Sequence, residues 1–304
     1  MRTMKRTLII QGDLSKVITA IPALEKFVIN NPDCTIIIYE YIALFWGNKI
    51  LVNNIFDNNT KDNYQRIKNT KIIKPDPYLN SDFLNGKINL ADAWNQEING
   101  NKEHMSASKI HLQEYEKVIG ASVRKNYFSK IIAFQPFSND VEFFEGQIKD
   151  KSCRSLNIKT CKELIKKIKN QGYGLWLITD RDVPVLNSSD FINIWPSEPR
   201  AYAAIMSQCD YFLGIDGSGQ HLARSFNLPG TVIMGGSNTI NNTYPDHFNI
   251  LNDKPNRDYM PVGIAEFDRY LAEANNDDIL MLPDSEIKEL CNNVIKHIKK
   301  SVKK

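Results

Sequence analysis

The segment from residue 214 to residue 223, Gly-Ile-Asp-Gly-Ser-Gly-Gln-His-Leu-Ala, combines a turn of small residues with polar side chains. An apolar run precedes the turn and helical spacing follows it, which predicts a strand, a tight turn and a helix. We expect the N–H groups of Ser218, Gly219 and Gln220 to point out of the helix N-terminus, where they would bind a phosphate or diphosphate. A strand–helix turn without a ligand fits the spacing equally well.

Two other side chains of this segment could take part in the same site. Asp216 could cap the helix or orient a neighbouring group, and His221 lies in the first helical turn, within reach of the same place. A serine hydrolase is disfavoured because its nucleophile elbow needs Gly-x-Ser-x-Gly, and position 216 holds Asp. The absence of a Walker motif and of a Gly-x-Gly-x-x-Gly before the first helix disfavours a nicotinamide dehydrogenase.

Asp13 follows Gly12 directly after the first apolar run of the chain. A carboxylate at the end of a strand can take a proton from an acceptor hydroxyl. The same residue type is also a good N-cap for the helix that follows, and taken alone this is the more common role. The two roles are compatible.

Ser138 and Arg154 are the remaining candidates. Ser138 ends the sequence Gln-Pro-Phe-Ser after a predicted strand, so its hydroxyl should face the same side as other strand ends. Arg154 precedes a predicted helix, and its planar guanidinium suits phosphate oxygens. A solvated turn arginine is the simpler interpretation of Arg154.

These residues require a scaffold in which strands and helices alternate. Residues 8–10 and 34–39 predict strands that flank a helix over 14–28, kinked or restarted at Pro22. Such a βαβ unit favours a parallel sheet. From residue 53 to residue 105 the chain is rich in Asn and turn signals, so we expect long loops there with a short strand at 72–73 and a short helix at 90–98.

A second alternating block begins near residue 128. Its pattern predicts strands at 131–134, 175–178, 211–215 and 231–234, and helices at 156–168, 201–209, 219–226 and 285–302; a further short helix is predicted before this block, at 110–119. We therefore predict an α/β protein with two Rossmann-like domains, residues 1–125 and 126–304, that face each other across a ligand-binding cleft. The last helix could pack back on the N-terminal domain.

The composition is that of an ordinary globular protein. The 304 residues are 42% hydrophobic and 24% charged, and the net charge of +3 permits an anionic ligand without requiring one. The five cysteines form no Cys-x-x-Cys pair, which predicts reduced thiols and neither a disulfide scaffold nor a zinc site. No apolar run is long enough for a membrane span or a signal peptide, so we expect a cytoplasmic protein without integral membrane contact.

The motifs, taken in this order, resemble glycosyltransferase family 9, the ADP-heptose:lipopolysaccharide heptosyltransferases. The resemblance is carried by Gly12-Asp13, the Ile-Pro-Ala-Leu of residues 21–24, and the segments 135–138, 154–156 and 216–223. In the last segment the Asp-to-His spacing is that of the family motif. The matches are scattered from residue 6 to residue 250.

The resemblance implies a GT-B fold, with the acceptor on the N-terminal domain and the nucleotide sugar on the C-terminal domain. It further implies inversion by direct displacement without a metal and with no cofactor besides the nucleotide-diphosphate sugar as co-substrate. Asp13 would be the general base. The departing diphosphate would be held by Ser138, Arg154, Asp216, Ser218, Gly219, Gln220 and His221. N–H dipoles and a cation can stabilise the charge that this group gains.

The acceptor is the least determined partner. Residues 40–105 match no named part of the family, although this region normally holds the acceptor. Together with the A/T-rich codon bias indicated by many Asn, Lys and Ile residues, this leaves two acceptors open: a cell-envelope glycan or a hydroxylated base in viral DNA. Two further functions are considered, a nucleotide-sugar 2-epimerase and a non-catalytic nucleotide-sugar-binding protein. The epimerase would need more acid/base residues in the cleft than Asp13 and His221.

Overall fold

The computed structural model describes residues 4–125, 130–139, 141–144, 147–150, 154–179, 183, 186, 192–194, 198–235, 237–251, 263–264, 269–270 and 282–302. Its element order alternates strands and helices along the chain. The fold prediction is confirmed: two parallel sheets, each covered by helices, form an α/β protein of the GT-B type.

The first sheet is built from the N-terminal part of the chain. Its four parallel strands have the order β3-β2-β1-β4, where the strands are β1 (Arg6–Ile10), β2 (Thr35–Ile38), β3 (Ile55–Asp57) and β4 (Lys71–Ile73). Leu8 of β1 pairs with Ile36 on one side and Ile73 on the other. The strand order therefore reverses between β1 and β4, and open parallel sheets bind their ligands beyond the carboxyl ends of strands at such a reversal.

The region expected to hold long loops instead contains several short elements. The helices and 3-10 turns of this half are α1 (Leu14–Asn30), η1 (Ile42–Phe45), α2 (Asn63–Ile67), η2 (Pro77–Leu79), α3 (Ser81–Leu84), α4 (Leu90–Asn99) and α5 (Glu114–Lys125). Asparagine and aspartate side chains cap several of them; for example, Asn80 accepts N–H bonds from the first turn of α3 and Asn89 accepts one from α4. The Asn-rich composition thus supplies helix caps.

The second sheet has six parallel strands in the order β12-β11-β10-β5-β8-β9. These strands are β5 (Ile131–Gln135), β8 (Gly174–Ile178), β9 (Ile192–Ile194), β10 (Tyr211–Ile215), β11 (Gly230–Ile233) and β12 (Asn249–Leu251), and two hairpins, β6 (Val141–Phe144) with β7 (Gln147–Asp150) and β13 (Gly263–Ile264) with β14 (Arg269–Tyr270), lie outside the sheet. Read in chain order, this is the doubly wound arrangement of dinucleotide-binding domains, with its reversal between β5 and β10.

The helices of the second half are α6 (Ile158–Asn170), α7 (Pro199–Met206), α8 (Ser218–Ser225), α9 (Thr239–Asn242) and α10 (Asp284–Ser301). The sequence left open whether the last helix packs back on the N-terminal domain. Instead, α10 packs against α6 and β11, and its buried residues Ile287, Cys291 and Val294 belong to the core of the second sheet. Its apolar stripe is covered there.

Helix α1 runs without interruption through Pro22, where the sequence predicted a kink or restart. Proline has no N–H, so the carbonyl of Ile18 four residues earlier loses its helical donor. The Oγ of Ser108, which is buried, donates to that carbonyl at 2.6 Å. A side chain 90 residues away in sequence thus completes the helix.

The two halves are joined through buried polar contacts. Arg200 at the start of α7 donates from Nε to Glu116 of α5 at 2.7 Å, and its Nη2 donates to the carbonyl of His111 at 2.9 Å. Burial raises the pKa of Glu116, but the hydrogen bonds from Arg200 and from the Gln113 amide outweigh burial and hold the pKa below its ordinary value. Glu116 therefore remains charged against Arg200 at neutral pH.

We predict that Ser108→Ala lowers the free energy of unfolding by about 1–3 kcal/mol, because it leaves the Ile18 carbonyl buried without a donor. Urea unfolding measures the change. The matched control is Ser122→Ala, which removes an exposed serine that also bonds a helix carbonyl. In a Pro22→Ala background, where the helical donor is restored, the loss should be smaller. Equal losses in both backgrounds would contradict this account.

Candidate functional site

The predicted turn lies at the carboxyl ends of β5 and β10, the point at which the strand order of the second sheet reverses. Gln135 at the end of β5 is in register with Gly214 of β10. Gly217 then precedes α8 with an extended backbone, and α8 begins at Ser218. Ligands of doubly wound sheets bind at this position, so the fold places the motif where a ligand is expected.

The N-terminus of α8 is attached to β5 by a buried hydrogen bond. The N–H of Gly219 donates to Oε1 of Gln135 at 2.9 Å, and the N–H of Gln220 donates to the carbonyl of Gly217 at 3.2 Å. Two of the three amides that the sequence assigned to an anion therefore bond within the protein. A bound anion would meet fewer amide donors than the sequence predicts, and side chains would have to contribute more.

Glycine at position 219 permits this close approach. A Cβ built there would lie 2.3 Å from Oε1 of Gln135 and 2.5 Å from the hydroxyl of Tyr202. Either distance is far below van der Waals contact, so any larger residue would separate α8 from β5. The glycine is required for packing at the turn, in addition to any role toward a ligand.

Asp216 is a buried carboxylate between the strand end and α8. Ser237, which follows β11, donates from its Oγ to Oδ2, while Oδ1 has no hydrogen-bond partner among the described residues. Burial raises the pKa of Asp216 to about 6, and the nearby charge of Arg154 and the Ser237 bond only partly offset this rise. A buried group with a shifted pKa in a strand-end crevice is typical of a functional site.

The structure brings Arg154 and Ser138 to this same crevice. Nη1 of Arg154 donates to the main-chain carbonyl of Asp216 at 3.3 Å. The N–H of Ser138 donates to Oγ of Ser155 at 2.9 Å, and the carboxylate of Asp150 accepts the N–H of Ser155 at 2.8 Å. The segments around residues 138 and 154, separate in sequence, therefore form one wall beside the α8 turn.

His221 is held by its neighbours in an uncharged state. Its Nδ1 lies 2.6 Å from the hydroxyl of Tyr244, and the guanidinium of Arg224 lies 3.8 Å from the centre of the Tyr244 ring. Burial lowers the pKa of His221 to about 3, and the charge of Arg224 lowers it further. His221 is therefore neutral at pH 7 and carries no positive charge for a phosphate.

Two other residues of the motif are buried as well. The side-chain Nε2 of Gln220 donates to the carbonyl of Asn242 at 2.5 Å, which attaches α8 to the end of α9. Ser218 is the first residue of α8 and is buried. The side chain of Gln220 thus helps to order the turn.

Asp13 lies at the carboxyl end of β1, and its carboxylate caps α1. Oδ1 accepts the N–H of Lys16 at 2.8 Å, as the sequence suggested, and the residue as a whole is exposed. The preceding Gly12 has φ +144°, a conformation that L-residues rarely adopt. Helix α1 packs against α8, and Leu222 and Ala223 of α8 share one buried cluster with α1. The first turns of these two helices hold the two halves of the candidate site.

Sequence reasoning missed four residues that organise this site: Gln135, Asp150, Ser237 and Tyr244. Gln135 ends β5 and Ser237 follows β11, and these positions at strand ends of the second sheet were the available signal. No group of three His, Cys, Asp or Glu side chains within the described ranges is arranged to hold a metal ion. Across the same residues, no helix combines the length and apolar character needed to cross a membrane.

The four cysteines that the structure describes agree with the prediction of reduced thiols. Cys34, Cys161, Cys209 and Cys291 are free and buried. Burial raises the pKa of each thiol, to about 11 for Cys34 and Cys291. Cys153 lies outside the described residues. The four described thiols are packing residues in this structure.

Comparison with known proteins gives structural neighbours only. No protein-family model and no curated protein matches the sequence. A glycosyl transferase family 9 protein from Veillonella parvula aligns at 13% identity and a TM-score of 0.57, over 82% of this chain and 86% of its own. The E. coli ADP-heptose heptosyltransferase II aligns at 10% identity and a TM-score of 0.60, over 96% and 99%.

A third neighbour is TibC from enterotoxigenic E. coli, an iron-containing dodecameric glycosyltransferase. It aligns at 14% identity and a TM-score of 0.61, over 98% of this chain and 79% of its own. TibC has also been solved in complex with ADP-D-beta-D-heptose. At these identities the likeness is one of fold, and it agrees with the family resemblance seen in the motifs.

We predict that Asp216→Asn stabilises the protein at neutral pH relative to acidic pH. The unfolded carboxyl titrates near pH 4 and the folded one at about 6, so the folded state of the parent loses stability as pH rises through that window. The parent should lose about 2 kcal/mol relative to the variant between pH 4 and pH 7. Urea unfolding at a series of pH values measures the difference. The control Asp246→Asn removes an exposed carboxylate instead. A pH-independent difference for Asp216→Asn would contradict the prediction.

Proposed function

We propose that the protein is a glycosyltransferase that moves a sugar from a nucleotide-diphosphate sugar to an acceptor hydroxyl, with inversion and without a metal ion. The observation that carries the proposal is the position of Arg154 beside the α8 turn, at the strand reversal of a dinucleotide-binding sheet. The solved structures of similar fold are themselves named as glycosyltransferases, and one contains an ADP-sugar. These names support the proposal.

The acceptor would be activated by Asp13. Its Oδ1 is engaged with the Lys16 amide, which orients the carboxylate, and the side chain remains open to solvent. As the acceptor oxygen attacks the anomeric carbon, Asp13 accepts the hydroxyl proton. The bond from the anomeric carbon to the diphosphate breaks on the opposite face, which inverts the configuration.

The departing diphosphate would be stabilised by Arg154, by the positive end of α8, and by the hydroxyls of Ser138 and Ser218. The developing charge would meet a fixed cation and fixed dipoles in a water-poor crevice, where such groups act most strongly. The carboxylate of Asp216 would repel a diphosphate, so we assign to Asp216 the role of holding Arg154 through its carbonyl and charge. Neutral His221 would support α8 through Tyr244.

We favour a glycan hydroxyl over a DNA base as the acceptor. Two exposed carboxylates, Asp13 and Glu40, follow the neighbouring strands β1 and β2 within three residues of their ends. Lys74 after β4 supplies one exposed cation, and buried Lys16 is already paired with Asp76. This edge of the first sheet therefore lacks the excess positive charge that would bind a phosphate backbone.

The first test concerns the donor half. We predict that ADP stabilises the protein, by about 2.7 kcal/mol at 100 times its dissociation constant. Arg154→Met should weaken ADP binding by about 10- to 100-fold, because a charged hydrogen-bond donor to the diphosphate is lost. Thermal shift and calorimetry measure both. Arg66→Met, which removes an arginine that stacks on Phe56 in the other half, is the control and should bind ADP normally. No stabilisation by ADP or any other nucleoside diphosphate would contradict the proposal.

The second test concerns Asp13. We predict that Asp13→Asn retains ADP binding and the stability of α1, because Asn is an equally good N-cap. Transfer should fall by about 10²- to 10⁴-fold, because the general base is lost. Transfer is followed with ADP-heptose as donor, and with a core oligosaccharide and hydroxymethylated DNA as alternative acceptors.

The outcomes of this assay separate the candidate functions. Transfer to the glycan supports the acceptor we favour, and transfer to DNA alone would replace it. Interconversion of nucleotide sugars without an acceptor would indicate the epimerase. Nucleotide-sugar binding with no turnover in the parent protein would indicate a binding protein, and undiminished transfer by Asp13→Asn would exclude Asp13 as the base.

A further inference from the structure

The strand order of the first sheet also reverses, between β1 and β4, and we call the region beyond the carboxyl ends of these two strands the first crevice. Asp13 follows β1, and Asp76 follows β4. Open parallel sheets bind their ligands beyond the strand ends at such a reversal. The residues that line this crevice are therefore candidates to act on the acceptor.

A buried lysine spans the crevice. The side chain of Lys16 is only 2% exposed, and its Nζ lies 2.7 Å from Oδ1 of Asp76 and 4.6 Å from the centre of the Tyr78 ring. Lysine is seldom buried to this extent. Because desolvation of the two charges offsets much of their attraction, a buried ion pair contributes little net stability compared with an apolar pair. Its presence at a strand reversal points to a role in the site.

The same lysine also holds the turn that carries the candidate base. Its N–H donates to Oδ1 of Asp13, and its carbonyl accepts the indole N–H of Trp94 at 2.9 Å. The aliphatic part of Lys16 lies over Gly12, where a Cβ would be 2.3 Å from Cδ of the lysine. The main chain and the side chain of one residue thus connect Asp13 to Asp76.

The chain from Asp76 to Gly86, which we name the bridge segment, continues from this ion pair to the second half of the protein. Nδ2 of Asn241 donates to the carbonyl of Phe83 at 2.5 Å. Gly86 has φ +69°, and a Cβ there would lie 2.7 Å from Nδ2 of Asn238. Asn238 follows Ser237, which donates to Asp216. The bridge segment is therefore anchored at Lys16 at one end and beside the turn before α8 at the other.

We propose that Lys16 is a positioning residue for the transfer reaction. Its ammonium group fixes the start of the bridge segment across the crevice, and its amide fixes Asp13, so that an incoming hydroxyl is held in line with the carboxylate. The proposal rests on the proposed function, because it takes Asp13 as the base. Lys16 acts through Asp13 and Asp76 and does not itself take part in proton transfer.

A purely structural role makes a different prediction from a positioning role. Methionine has nearly the length of lysine and would fill the same buried space without a charge. If Lys16 only filled the core, Lys16→Met combined with Asp76→Asn, which removes both charges of the pair, would be neutral or stabilising and would leave kcat unchanged. If Lys16 positions the bridge segment, the same double change leaves the fold intact but releases the start of that segment, and kcat falls.

The test measures hydrolysis of ADP-heptose, in which water takes the place of the acceptor, together with amide hydrogen exchange. We expect Lys16→Met to lower kcat by about 10- to 100-fold with KM for ADP-heptose within about twofold, because a small displacement of a reacting group has an effect of this size. Exchange should rise in residues 76–86. Lys16→Arg should restore most of both.

Two further variants keep the test decisive. Lys26→Met removes another lysine of α1 that pairs with an exposed glutamate, Glu103, and should leave kcat and exchange in residues 76–86 unchanged. Lys16→Met combined with Asp76→Asn leaves no unpaired charge, and should reproduce the loss in kcat even if the single variant is poorly folded.

The possible results separate this inference from the proposed function. If exchange in residues 76–86 is unchanged by Lys16→Met, or if kcat is unchanged, the inference is overturned. If the parent protein neither binds ADP nor hydrolyses ADP-heptose, the proposed function fails. The exchange experiment in that case still decides whether Lys16 holds the bridge segment.

Discussion

The contact between the first turn of α8 and the end of β5 is the constraint on which the donor half depends. It requires a residue without a side chain at position 219 and a long amide acceptor at Gln135. Once α8 is seated there, Asp216 is forced into a buried position, and its carbonyl is aligned to receive Arg154. The position of Asp216 beside Arg154 thus follows from the steric requirement for glycine at position 219.

The strand reversals of the two sheets carry different charged groups. In the second sheet, the strand reversal is occupied by a cation beside a helix N-terminus, an arrangement suited to a negatively charged group. In the first sheet, the reversal is occupied by an internally neutralised pair, Lys16 and Asp76, next to the open carboxylate of Asp13. Under the proposed function, this asymmetry would provide anion binding on one side and proton removal on the other.

Much of the molecule's order comes from polar groups that find partners far away in the sequence. Ser108 completes α1 at Ile18, Trp94 bonds the carbonyl of Lys16, and Asn241 bonds Phe83 across the two halves. Each removes an otherwise unsatisfied buried group, and such groups are costly. These bonds fix the position of Asp13 relative to the turn before α8.

The local elements of both sheets could be predicted from the sequence because they depend on near-neighbour patterns. Buried parallel strands are short apolar runs, and amphipathic helices repeat every three to four residues, so β1, β2, β5, β10, α4 and α8 were recognised within a few residues. The glycine-rich turn before α8 and the Asp13 cap were recognised for the same reason. The short strand β3 and the small helices of residues 63–84 were missed, because segments of three to five residues carry too little periodicity.

The chain itself, through its residue types and their spacing, determined the alternating pattern, the two-sheet α/β fold and the residues able to bind a diphosphate or remove a proton. Only the tertiary structure decided which of these groups are free to do so. It engaged the Gly219 amide with Gln135, made His221 neutral by burial, let α1 pass through Pro22, and placed Lys16 across the first crevice. The physical reason is that hydrogen bonding, desolvation and ion pairing depend on neighbours 60 to 90 residues away in the chain, which local spacing does not specify.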